Sequence, residues 1–174
     1  AVLYISHHSA DLELRQDEWV RKQIPAGKGK TAFYACDVRG AGESRPDTCG
    51  ENSFLQPYGS DYFYAIHGIM LNRPYVGQKT LDVLQVLRWL EAAGHSRIQI
   101  VAQGWGSLPA AFAAMYSNVV TSIRLKGALD SFHSIATSQE YQWPLSSFVP
   151  SILNEVDLTD CYTLLKAEKD LELL

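Results

Sequence analysis

Histidine, serine and aspartate gather at three places in this 174-residue chain: His7-His8-Ser9, Gln103-Gly104-Trp105-Gly106-Ser107, and Asp130-Ser131-Phe132-His133. On paper, Ser107, Asp130 and His133 supply the nucleophile, acid and base of acyl transfer, in which a base activates a serine hydroxyl. The spacing argues against it. Asp130 and His133 share one short loop, and Ser107 is flanked two residues away by bulky Trp105 and Pro109. A serine displayed on a sharp strand-to-helix turn needs small residues at those two positions. Ser107 is better placed to cap the helix that follows, with Pro109 tolerated in its first turn.

The small-x-nucleophile-x-small frame falls one turn earlier, where Ala102 and Gly106 bracket Gly104. Glycine has no side chain and attacks nothing. A left-handed backbone at such a turn costs any other residue about 1 kcal/mol or more, so Gly104 relieves strain at the position where chemistry would sit. His7 and His8 are the other candidates. Neighbouring side chains on an extended segment point apart, so the pair is not expected to converge on a metal. Asp37, Arg39 and Glu43 lie in a turn with Gly40 and Gly42, where the aspartate ties the turn and the glycines let it bend.

These residues need elements to position them. Residues 2–6 are a short apolar run of the kind buried on both faces of a parallel sheet, and 31–37, 97–102 and 120–129 read as further strands. An amphipathic helix is expected from about Leu12 to before Pro25, with Ser9 or Asp11 as its cap. Residues 38–60 read as a long loop, and 61–72 as a helix. Residues 73–77 break the pattern, and 78–93 form a helix whose stripe includes Leu81, Leu84, Val86 or Leu87, Trp89 and Leu90. Gly94 stops it. A helix over 107–116 follows the glycine turn. Residues 130–137 read as a loop or single turn, 143–153 as a short helix, 158–165 as a helix, and the last residues as charged and mixed. Strands alternating with helices define an α/β class, a three-layer fold with a mainly parallel sheet of about four or five strands and helices on both faces.

Composition narrows the function classes. Hydrophobic residues make up 47% and charged residues 20%, an ordinary globular balance for one domain over 1–174. The net charge of −4 comes without a lysine- or arginine-rich run, so no nucleic-acid partner is indicated. No apolar run reaches the roughly 20 residues that span a bilayer. Cys36, Cys49 and Cys161 form neither a disulfide framework nor a CxxC pair, so neither a metal nor a cofactor is expected. A Cys36–Cys49 bridge stays open, and so does the compartment.

Four stretches resemble the α/β-hydrolase superfamily, in its acetyl xylan esterase-like branch: the strand at 2–6 running into His7-His8, the turn Asp37-Val-Arg-Gly-Ala-Gly-Glu-Ser44, the helix near 77–90, and the elbow around Gly104. The resemblance implies an oxyanion loop at His7-His8, a vestigial nucleophile position at Gly104, lost in nature or replaced to trap a substrate, and an extracytoplasmic location. It also matches the order nucleophile, acid, base of Ser107, Asp130 and His133. Such domains have eight strands, with the acid and histidine on late loops. This chain reads as the third to sixth strands only, a partial α/β-hydrolase fold from a fragment or second lobe of a larger protein. Two functions follow. One is a non-catalytic scaffold or docking domain, whose catalytic partner domain, or a second copy in a homo-oligomer, covers the open sheet edge. The other is a serine carboxylester hydrolase acting on a carbohydrate ester, with position 104 altered and the acid and histidine supplied from elsewhere. Trp105 would then line a pocket for a sugar ring.

Overall fold

A computed structural model describes residues 1–26, 31–45 and 61–174. Cys49 and most of the long loop lie outside them. Cys36 and Cys161 are free thiols.

Five strands form one all-parallel sheet in the order β2-β1-β3-β4-β5. β1 (Val2–Ile5) is an inner strand, buried along its whole length. It pairs with β2 (Phe33–Cys36) on one side and with β3 (Ile98–Gln103) on the other. β4 (Val120–Lys126) follows, and β5 (Asp170–Leu173) closes the far edge. A fifth strand was not expected after residue 130. Its sequence, Asp-Leu-Glu-Leu, is short and half charged, because an edge strand needs only one apolar face; Leu171 turns inward, while Asp170 and Glu172 stay exposed.

The side chains of β1 alternate between two layers. Val2 and Tyr4 join Val101 and Val20 on one face, where α1 (Ala10–Gln16) and α2 (Glu18–Lys22) pack. Leu3 and Ile5 join the larger core on the other, with Val83, Leu87 and Leu90 of α4 (Tyr75–Ala92), Leu108 of α5 (Ser107–Met115) and Leu165 of α7 (Leu158–Glu168). Each such aliphatic side chain contributes roughly 1.5–3 kcal/mol when fully buried. α3 (Tyr62–Met70) and α6 (Phe132–Thr137) complete the helices. The alanines of α5 (Ala110, Ala111, Ala113 and Ala114) are all fully buried and let that helix lie close on the sheet.

Several boundaries differ from expectation. The first helix is two, because Asp17 leaves helical geometry and its carboxylate caps α2 at Trp19 and Val20. α4 starts at Tyr75, directly after Pro74, since proline suits a helix start and Gly77 is absorbed in the first turns. Its inward stripe is Val76, Thr80, Val83, Leu87 and Leu90, whereas Leu81 and Trp89 are exposed. Trp89 packs edge-on against Tyr34 instead. The segment 143–153 contains two 3-10 turns (Leu145–Ser147 and Ile152–Asn154) rather than an α-helix.

Buried polar groups hold the periphery. Lys79 pairs with Asp61 at 2.5 Å, both side chains nearly inaccessible, and the ammonium lies 5.0 Å from the Tyr75 ring centre. Burial drives the Asp61 carboxyl pKa up, with Lys79 opposing it. Asp157, unremarkable in the sequence, accepts hydrogen bonds from Ser131 Oγ and from the amides of Phe132, His133 and Leu158. Burial alone would raise its pKa, but these bonds outweigh it and the net shift is downward.

Candidate functional site

The chain runs from β1 out to β2, then returns to β3 on the opposite side of β1. The connections leaving β1 and β3 therefore go to opposite faces, α1 to one and α5 to the other. In open parallel sheets the crevice beyond the strand ends at such a reversal is where ligands bind. The two segments that meet there are His7-His8-Ser9 and the 3-10 turn Gly104–Gly106. Beside them is a cleft of about 520 Å³ bordered by His7, His8, Leu12, Glu13, Asp17 and Gln103.

Gly104 has φ +51°, the left-handed value such a turn requires. A side chain there has no room: an added Cβ would lie 2.5 Å from Nδ1 of His7. At Gly106 an added Cβ would lie 2.3 Å from the Ser6 carbonyl, so the small residue two positions on is fixed by backbone approach to β1 and not by chemistry. Fully buried Ala102 fills the other small position.

His7 does more than fill space. Its Nδ1 accepts the Trp105 amide at 3.0 Å, the N–H that a hydrolase elbow, as the sequence resemblance implies, would aim at an oxyanion. The His7 and His8 rings do not point apart as expected. Their centres are 3.7 Å apart, and Trp105 meets them edge-on at 4.8 and 4.5 Å. The loop leaves extended geometry just after β1, which swings both imidazoles to one side. Burial, then the neighbouring His8, push the His7 pKa down to about 4, against the pull of Glu13. Burial also lowers His8. The His7 ring is therefore neutral at pH 7.

The loop at His7-His8 was expected to supply an oxyanion hole, but its amides and that of Ser9 are not open. They are occupied by the Glu13 carboxylate, at 3.1, 2.6 and 3.1 Å, and the Tyr4 hydroxyl donates to the same carboxylate. Burial and this acceptor raise the Tyr4 pKa well above its ordinary value. Glu13 is invisible to motif reading; its only signal is an acidic residue in the first turn of a helix, where negative charge is favoured.

The other candidates disperse. Ser107 is fully buried, opens α5 rather than capping it, and donates its hydroxyl to the Gly104 carbonyl at 2.6 Å, because the 3-10 turn brings that carbonyl within reach. Asp130 and His133 are exposed, and neither side chain is hydrogen-bonded to Ser107. Asp37 ties its turn by accepting from Ser6 Oγ, the Ala10 amide and the Glu43 amide. Arg39 is committed to Asp82 and Gln78, which leaves the cleft of about 480 Å³ beside it without a free cation among its described lining residues. Among the described residues no group of three or more His, Cys, Asp or Glu is arranged to hold a metal, and no helix is long and apolar enough to cross a membrane.

No family model, curated protein or solved structure matches the chain.

Proposed function

We propose that this chain is a non-catalytic domain of α/β-hydrolase type, similar to the acetyl xylan esterase-like branch, which serves as a scaffold or docking domain. The observation that carries this reading is the elbow: Gly104 stands where a nucleophile would, and the His7 ring occupies the space its side chain would need. Two further features support it. The amides that would stabilise an oxyanion are bonded to His7 and Glu13. The strand order, with α1 and α2 on one face and α4, α5 and α7 on the other, suits the central part of such a fold.

A docking role is supported by the outer surface. Met70, Leu71, Leu81 and Tyr116 expose large apolar side chains. A mostly apolar cleft of about 530 Å³ lies between Pro74, Leu81, Leu84, Phe112 and Tyr116. In this reading the cleft and the apolar side chains at its rim take the partner, a catalytic domain or a second copy.

The test is incubation with a fluorophosphonate probe and with p-nitrophenyl acetate. The expected result is an unshifted intact mass and hydrolysis no faster than the buffer blank. Ester turnover with an adduct on Ser107 would overturn the reading. The double variant Gly104→Ser/His7→Ala, which makes room for a hydroxyl, is expected to stay inactive; turnover in it would favour a serine carboxylester hydrolase altered at position 104.

A further inference from the structure

We propose that the His7 imidazole is a pH-operated cap on the turn after β3, seated while the ring is neutral and released when it is protonated. This goes beyond the functional reading above and stands whether or not the chain is of hydrolase type.

The geometry sets the mechanism. A ring nitrogen that accepts from an amide carries no proton, so seated His7 holds its single proton on Nε2. Protonation puts an N–H on Nδ1, facing the Trp105 N–H that lies 3.0 Å away. Two donors then oppose each other, and the amide loses its acceptor. The seated ring is also pressed against a second imidazole, at 3.7 Å.

The charged and titratable groups around the ring come from every neighbouring element. His8 shares its loop. Glu13 of α1 accepts the His7 amide and favours a charged ring. Asp17 and Glu18, where α1 meets α2, border the same cleft. Arg45 after β2 and Lys79 of α4 act on His8 and disfavour further positive charge. Tyr4 of β1 stays a neutral phenol bonded to Glu13. β3 and the elbow contribute uncharged Gln103 and Trp105, and α5 the neutral Ser107 hydroxyl.

Burial and His8 outweigh Glu13, so the seated ring has a pKa of about 4 against an ordinary value of 6.5. The seated form therefore binds fewer protons than the released one. Its advantage is whole above pH 6.5 and weakens as pH falls, close to tenfold per pH unit at first and about 150-fold by pH 4. Release would free the Trp105 amide and open the space above Gly104.

The test is a pH titration from 7.5 to 4.0 of the uniformly 15N-labelled chain, following the Trp105 amide and the His7 ring nitrogens by NMR. The expected result is a shift of the Trp105 amide that tracks His7 protonation, with a midpoint below 6.5, while core amides such as Leu3 and Ile100 stay dispersed. In His7→Asn and His7→Gln, which keep an acceptor but do not titrate there, the Trp105 shift is expected to vanish. Three results would each overturn the proposal: His7 titrating without moving Trp105, the Trp105 transition persisting in both variants, or the core amides collapsing at the same midpoint.

Discussion

Two turns at the C-terminal end of the sheet solve the same backbone problem with different means. After β2, Gly42 takes φ +43°; after β3, Gly104 takes φ +51°. In each, a side chain occupies the space a Cβ would need: the carboxylate of Asp37, from the same turn, at Gly42, and the ring of His7, from the loop after β1, at Gly104. The Asp37 carboxylate accepts from a serine hydroxyl and two amides, and Ser44 bonds back to its carbonyl. The His7 ring accepts from one amide and otherwise makes only tilted and edge-on ring contacts. The first turn is braced and the second is capped. A brace joins strands and helices that unfold together, whereas a cap holds a surface that can open alone.

The difference is measurable. Asp37→Ala should cost the most, about 3 kcal/mol, because three donors lose a charged acceptor; the urea midpoint measures it. A loss under 1 kcal/mol would erase the distinction between brace and cap. Gly104→Ala should cost about 2 kcal/mol, part from the left-handed backbone and part from displacing His7. In a His7→Ala background the same change should cost only about 1 kcal/mol, and that non-additivity in a double-mutant cycle isolates the ring's share. His7→Ala alone should cost under about 1 kcal/mol, the worth of one neutral hydrogen bond.

The smallest effect extends the comparison to the turn after β4, which Asp157 braces as Asp37 braces its own. The folded pKa of Asp157 lies below the ordinary 3.8. Its stabilisation is therefore whole above that value and is lost as pH falls through the lower, folded one. Asp157→Asn should flatten the acid limb of stability below pH 4, read as a smaller drop in melting temperature between pH 4 and pH 2.5. An unchanged limb would place the brace elsewhere.

Much of the architecture is legible in residue patterns. The run at 2–5 is apolar throughout, and 98–102 is broken only by Gln99, because both faces of an inner parallel strand are buried, and the fully buried Ile5, Ile100 and Ala102 bear this out. β5 escapes such reading because an edge strand has one wet face, which leaves Asp-Leu-Glu-Leu looking like tail. The break at Asp17 escapes because the apolar positions of α1 and α2 keep helical spacing across it. At the site, the glycine frame of the elbow is visible in the sequence, but its occupants are not. Glu13 and His7 act through loop geometry that brings a carboxylate and a ring to amides, and neither residue type nor spacing encodes that meeting.

The close approach of His7 to Gly104 also orders the paths by which this sequence can change. A substitution that adds a side chain at position 104 meets the imidazole at 2.5 Å, while one at position 7 that removes the ring meets no such obstacle. Changes at the two positions are therefore not interchangeable in time: a side chain at position 104 costs less once position 7 has yielded. The ring works as a ratchet on this sequence, setting the cost of every side chain that position 104 could acquire.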